Sequence, residues 1–262
     1  MHPQLPEGVA ITPIPAYTDN YIWAFFNTDY CVVVDPGDAQ PVEAFCDEHS
    51  IELVAVLVTH HHADHTGGLA KLLQRWPSLR IIGPKNPNIK LLNEHVNEGC
   101  TVNIEQLQLQ FTVLDLPGHT LDHIGFVGHG GVLCGDTLFS AGCGRLFEGT
   151  PTQMQHSLAK LSALPDTTKV WCTHEYTLAN MTFAQQVEPQ NQALQDRFAW
   201  AKQQREKQVP TLPSNIAVEK AINPFLRSHC SSVKASAEQH TGTELKDELA
   251  VFTAVRGWKD IS

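Results

Sequence analysis

Residues 60–65 of this chain, His60-His61-His62-Ala63-Asp64-His65, put four imidazoles and a carboxylate into six positions. These are the side chains that divalent transition metals take as ligands from proteins, so the run has the composition of a metal-binding segment. In an extended chain His60 and His62 point the same way and His61 points opposite. Asp64 and His65 diverge from that direction as the chain turns into a helix begun by Thr66-Gly67-Gly68. One short segment can therefore serve two neighbouring cations, and the chemistry it indicates is that of a two-metal hydrolase. The competing reading is a loop of ordinary surface histidines.

No single loop completes two coordination shells, so further donors must come from elsewhere. His119 in Pro117-Gly118-His119-Thr120 follows an apolar stretch ending at Asp115-Leu116. Asp136 in Cys134-Gly135-Asp136-Thr137 follows Val132-Leu133, and His174 in Thr173-His174-Glu175 follows Val170-Trp171-Cys172. Each stands where a strand closes, the arrangement of His60 itself. Asp35, in Val34-Asp35-Pro36-Gly37, is either a partner that orients a ligand histidine or a turn residue before Pro-Gly. His61, His123 and His129 read as structural, Cys143 as inert, and Trp171 and Phe183 as core.

The elements that must position these donors alternate. Strands are expected at Ile22 to Phe26, Cys31 to Val34, Leu53 to Val58, Leu107 to Leu114 and Lys169 to Cys172, with helices at Pro41 to His49, Gly67 to Trp76 and Thr152 to Leu164. Thr150-Pro151 opens the last of these. The layout is α/β, and unbroken apolar strands such as Val32 to Val34 imply a sheet covered by helices on both faces. Beyond residue 175 strand signals thin out, and helices are expected at Asn191 to Lys207, Ser231 to His240 and Leu245 to Arg256. Residues 1–174 thus read as a metal-binding catalytic domain and 175–262 as a smaller helical one.

Composition narrows the partners. The net charge of −10 argues against nucleic acid, and the surplus lies entirely in residues 1–174, with 8 basic and 18 acidic side chains against 10 and 10 in the remainder. Seven cysteines without a CxxC pair fit a reducing compartment. No apolar run is long enough to span a bilayer, and the first residues lack a basic then apolar leader, so a cytoplasmic protein is expected, with no membrane or nucleic-acid partner and a monomeric state.

The set THHHADHTGG, PGHT, GDT and THEYT, with Thr18-Asp19-Asn20-Tyr21 near the start and Asn223-Pro224-Phe225-Leu226-Arg227 near the end, resembles the metallo-β-lactamase superfamily. Within it the closest resemblance is to glyoxalase II, the hydroxyacylglutathione hydrolases. The resemblance implies a four-layer αββα sandwich followed by an all-helical domain. It implies two divalent cations, zinc first and iron or manganese as alternatives. One would be held by His60, His62 and His119, the other by Asp64, His65 and His174, with Asp136 shared. The implied reaction is hydroxide attack on the thioester of S-D-lactoylglutathione, giving D-lactate and glutathione in the second step of methylglyoxal detoxification. Asp64 and Asp136 would be the catalytic carboxylates. Arg145, Tyr176, Arg256 and Lys259 would bind the glutathione moiety; for Arg256 and Lys259 the competing reading is a basic helix end that suits the helix dipole. One departure is visible: after Gly144 the family usually reads Lys-Phe-Tyr or Arg-Phe-Phe, with the basic residue and the Tyr helping to bind glutathione, whereas this chain has Arg145-Leu146-Phe147, which keeps the charge and lacks the hydroxyl.

Four rivals remain at this level. A persulfide dioxygenase of the superfamily would need one iron and no second ligand set. A secreted β-lactamase should carry a signal peptide, and a nucleic-acid-processing member should be basic. A non-catalytic metal-binding protein would leave the cationic residues near the end without a purpose.

Overall fold

A computed structural model describes residues 4–262; the first three, on which part of the leader-peptide reading falls, lie outside the described residues. The chain packs as two compact units, Met1–Asp115 with Asp122–Gly135, and Leu116–Leu121 with Asp136–Ser262.

In the first unit, strands β1 (Ala10–Ala16), β2 (Asn20–Phe26) and β3 (Tyr30–Val34) form an antiparallel meander. Helix α1 (Ala39–His49) then leads to β4 (Glu52–Leu57), and α2 (Ala63–Thr66) and α3 (Leu69–Arg75) lead to β5 (Arg80–Pro84) and β6 (Glu94–Val96). β3 to β6 pair in parallel, so the first sheet runs in sequence order from β1 to β6. A second, antiparallel ladder follows from β7 (Thr101–Ile104), β8 (Leu109–Asp115), β9 (Ile124–Gly128) and β10 (Gly131–Gly135).

Alternation across the first sheet sorts its apolar residues. Ile22, Ala24, Cys31 and Val33 join Val42, Cys46, Leu69 and Leu72 of α1 and α3 in one buried cluster. The opposite face meets the second sheet, where Phe25 packs edge-on against Phe111 with ring centroids 5.5 Å apart. The unbroken apolar strands therefore lie between helices and a second sheet, not between two helical layers. Both coverings exclude water from each face, which is why the run of residues could not distinguish them. Three of the four expected layers lie within this unit.

The second unit opens with a two-stranded hairpin, β11 (Leu138–Phe139) and β12 (Gly142–Cys143). Helix α4 (Pro151–Ser162) carries the expected start: Thr150 accepts from the Gln153 N–H and the Gln153 side chain returns to the Thr150 N–H, a reciprocal cap. Then follow β13 (Lys169–Cys172), α5 (Thr177–Val187), α6 (Gln192–Glu206), β14 (Ser214–Asn215), α7 (Ile216–Ile222), α8 (Ser231–Thr241) and α9 (Glu248–Asp260). Two of these helices, α5 and α7, carried no clear sequence signal, and α9 is capped by Asp247 and so runs later than expected, through Lys259. Among the described residues no helix is long and apolar enough to cross a membrane.

Candidate metal centre

In the first unit the parallel strands β3 and β4 end side by side, and the residues after them face one another. This is the edge at which open α/β sheets place polar groups. Asp35 follows β3 with a positive φ of 52°, its N–H donating to the Leu57 carbonyl. Its carboxylate is buried and accepts from the Thr59 N–H and the Thr59 hydroxyl, both at 2.7 Å. Since that hydroxyl spends its proton on Asp35, its lone pair accepts from His60 Nδ1 at 3.0 Å. His60 is thereby held as the tautomer with a bare Nε2, and that atom lies 3.1 Å from His62 Nδ1.

Asp64 and His65 sit on the single turn of α2, which begins at Ala63 and not at Thr66 as the sequence implied. His65 Nδ1 stands 3.0 Å from the Asp35 carboxylate, and its Nε2 lies 3.5 Å from Asp64 Oδ2. Asn20 holds Asp64 from the side, its amide donating to the carboxylate at 3.4 Å. The turn Asp35-Pro36-Gly37 fits because Gly37 has no side chain: a Cβ there would lie 2.0 Å from the Asp64 carbonyl oxygen. Asp35 makes the turn before Pro-Gly, and its carboxylate holds Thr59, which meets His60, and lies 3.0 Å from His65 Nδ1.

In the second unit one carboxylate faces two imidazoles. Asp136 Oδ2 lies 3.5 Å from His119 Nε2 and 3.3 Å from His174 Nε2, and all three residues are buried. His119 Nδ1 donates to the Arg145 carbonyl at 2.7 Å, so its Nε2 is a lone pair directed at a carboxylate oxygen. A proton or a shared cation relieves such a pair, and one carboxylate facing two imidazoles suits a divalent ion better than two protons. An imidazole Nε2 faces a carboxylate oxygen also at His65 and Asp64. Each unit therefore carries a donor set whose chemistry fits a divalent metal.

The residues expected to bind substrate all lie in the second unit. Tyr176 stacks on the His174 ring, centroids 4.6 Å apart and 3° from parallel. Arg145 is open, its side chain 62% exposed, with Nε 3.7 Å from Asp260. Arg256 differs from the open clamp residue the sequence implied. Its guanidinium is buried, Nη1 donating to the Cys143 carbonyl at 3.0 Å and Nη2 to Asp260 at 3.1 Å. Lys259 Nζ lies 5.2 Å over the Phe183 ring. Burial, with the neighbouring Arg256 charge, lowers its ammonium pKa from the ordinary 10.5.

Residues read as bland take bland places. His61 Nδ1 pairs with Asp122 at 2.9 Å, while Asn86 donates to the other Asp122 oxygen at 2.7 Å. His129 accepts from the Gln110 N–H and donates to the Gln4 carbonyl. Sequence reasoning missed Thr59, Asn20 and Asp260 as orienting groups. Thr59 had a signal, since a hydroxyl next to a ligand histidine at a strand end can orient it, whereas Asp260 had none.

Two family profiles cover nearly the whole chain: one described as "Metallo-beta-lactamase superfamily" matches residues 18–174, and one described as "Hydroxyacylglutathione hydrolase C-terminus" matches 175–262. Among curated proteins, the hydroxyacylglutathione hydrolase of Nitrosomonas eutropha is 45% identical over 252 residues, 96% of this chain and 98% of that one. That of Aeromonas hydrophila is 47% identical over the same share of each chain. Among solved structures, ETHE1 from Myxococcus xanthus superposes with a TM-score of 0.63 at 23% identity, covering 97% of this chain and 98% of that one, a likeness of fold.

Proposed function

The chain belongs to the hydroxyacylglutathione hydrolases of the metallo-β-lactamase superfamily, and from that membership we propose how its own residues carry the reaction. The fold is the metallo-β-lactamase fold with a helical C-terminal part. The activity is hydrolysis of an S-(2-hydroxyacyl)glutathione thioester to the 2-hydroxy acid and glutathione, which is the glyoxalase II reaction. Relatives of 45% and 47% identity along the full length carry that name, which separates this chain from the dioxygenase and β-lactamase readings.

The site requires divalent metal, and we assign two ions, zinc first. His60, His62 and His119 hold one, Asp64, His65 and His174 the other, and Asp136 is common to both. The observation supporting this division is the Asp136 carboxylate set against two imidazole Nε2 atoms. Bound divalent cations supply Lewis acidity, acidifying a water and stabilising negative charge on the reacting carbonyl. The protein's work is to keep the imidazoles neutral and aimed, through Asp35, Thr59 and the Arg145 carbonyl. Asp64, held by Asn20, orients the attacking water as a hydrogen-bond acceptor.

Glutathione carries two carboxylates, which an acidic protein must meet with local positive charge. In our assignment Arg145 and Lys259 contact them, Tyr176 adds a hydroxyl, and Arg256 contributes its charge from below while anchoring Cys143. Phe147 supplies a ring face and no hydrogen bond. Residues 1–174 then act as the catalytic part and 175–262 as the substrate-binding part, in a monomeric cytoplasmic enzyme with no nucleic-acid or membrane partner.

The direct test incubates purified protein with S-D-lactoylglutathione while thioester absorbance and metal content are recorded. Hydrolysis with about two metals per chain is expected; intact thioester at full metal loading would overturn the substrate assignment. Lys259→Ala should raise KM about tenfold with little change in kcat, the mark of binding remote from the reacting carbonyl. Because the Lys259 pKa is lowered, its charge is lost as pH rises before the ordinary 10.5 is reached. KM should therefore climb on the alkaline side in the parent enzyme and stay flatter in Lys259→Ala; a KM unchanged by the substitution removes Lys259 from the clamp.

A further inference from the structure

Between Asp136 and Arg145 the chain makes the hairpin of β11 and β12, and its turn is buried. Ala141 at the tip takes the left-handed conformation, with φ 55°, and has no exposure. A buried turn must find partners for its backbone polar groups, and here three side chains from other elements supply them. The Ala141 N–H donates to Glu219 Oε2 at 2.8 Å. The Asn223 amide donates to the carbonyls of Phe139 at 3.1 Å and Gly142 at 3.0 Å, and to Glu219 Oε2 at 3.0 Å. Asn180 donates to the Ser140 carbonyl at 3.2 Å. Glu219 Oε1 accepts from the Ser214 hydroxyl. Glu219 and Asn223 have no exposed surface and Asn180 very little. Burial pushes the Glu219 carboxyl pKa up, against the hydrogen bonds from Ser214, Ala141 and Asn223.

The two ends of this hairpin touch. The Gly144 N–H donates to the Thr137 carbonyl at 3.2 Å, and a Cβ on Gly144 would lie 2.0 Å from the Asp136 carbonyl oxygen, so only glycine permits the approach. The His119 bond to the Arg145 carbonyl ties the outgoing strand to a proposed ligand. A shift of the turn is thus carried to Gly144 and Arg145.

We infer that Glu219, Asn223 and Asn180 are positioning residues of this hydrolase, holding the Leu138–Cys143 turn and through it setting Arg145 against Asp136. The inference rests on the reading of Arg145 as a substrate-binding residue and of Asp136 as a metal ligand. The group acts at a distance from the reacting thioester, through the hairpin alone. Removal of Asn223 takes a donor from the Phe139 and Gly142 carbonyls, removal of Asn180 takes one from the Ser140 carbonyl, and removal of Glu219 takes the acceptor from the Ala141 N–H.

The test is a double-mutant cycle on the metal-loaded enzyme with S-D-lactoylglutathione. Asn223→Ala should raise KM about tenfold, within what a sub-ångström misplacement produces, and Arg145→Ala should do the same. The double variant should be no more than about twofold worse than the poorer single one, since both remove the same contact. Glu219→Gln keeps an acceptor for Ala141 and Asn223 and a donor for Ser214, so its kinetics should match the parent enzyme, while Glu219→Ala follows Asn223→Ala. If Asn223→Ala does not accumulate as folded protein, Asn180→Ala carries the same cycle. Multiplying effects, or a Glu219→Gln as damaged as Glu219→Ala, overturn the inference and leave the Arg145 reading intact. An Arg145→Ala with unchanged KM overturns both.

Discussion

Asp136→Ala is expected to purify with almost no bound metal and with kcat/KM lowered by about three orders of magnitude or more. The expectation follows from the position of one carboxylate oxygen 3.3 Å and 3.5 Å from two imidazole Nε2 atoms. A group that only orients a ligand changes metal affinity by about ten- to hundredfold, and a shared ligand should exceed that. Without the carboxylate each assigned ion falls from four protein donors to three, and the pair loses the negative charge common to both. The fold should survive, because Asp136 follows a β10 strand that is buried along its whole length. Elemental analysis of the purified variant beside steady-state kinetics decides it. Two metals per chain and a tenth or more of parent activity would remove Asp136 from the centre.

The second large effect is expected at a residue that touches no proposed ion. Asp35→Asn preserves size and leaves Oδ1 to accept from the Thr59 N–H. At Oδ2, however, it puts an NH₂ where an acceptor stood. That amide donates to the Thr59 hydroxyl, which then turns its own proton toward His60 Nδ1, and it places a donor 3.0 Å from His65 Nδ1 where a carboxylate oxygen stood. The His60 imidazole is pushed to the tautomer protonated at Nε2, the atom it would offer a metal. Metal affinity should fall by about a hundredfold or more while thermal stability changes little. Asp35→Ala should lose both, since it strands a buried N–H and hydroxyl at a cost of about 1–3 kcal/mol each. Chelator competition and melting curves on the two variants separate these outcomes. An Asp35→Asn that holds metal like the parent would show that the tautomers are set by something else.

Much of the fold was legible because the signals were local. The apolar runs at β2, β3 and β4 read as strands because burial on both faces removes polar alternation. The start of α4 was legible in Thr150-Pro151, since proline at the first helical position needs no hydrogen-bonded N–H. Strand β1 was not, because Pro13 and Pro15 argue against a strand; it sits at the sheet edge, where a missing donor costs nothing. Helix α5 escaped because its buried positions include the polar Thr177 and Asn180 while its exposed ones include Ala179, which blurs the apolar period.

At the site the division is between identity and aim. The sequence by itself determined which atoms can bind metal, because imidazole and carboxylate donors two residues apart, at strand ends, carry that chemistry in their covalent structure. It also determined that one run would supply His60, His62, Asp64 and His65 together, since spacing along six residues is a local property. Only the tertiary structure decided where the protons sit. Asp35 and Thr59 are 24 residues apart in the chain, and their hydrogen bonds exist because β3 and β4 pair in parallel and end together. Only the tertiary structure decided that Arg256 is buried beneath Cys143 while Arg145 stays open, because burial is set by what packs around a side chain and not by its charge. Hydrogen-bond partners at long sequence separation are made by packing, so the run at 60–65 names the candidate donors and the fold around it aims them.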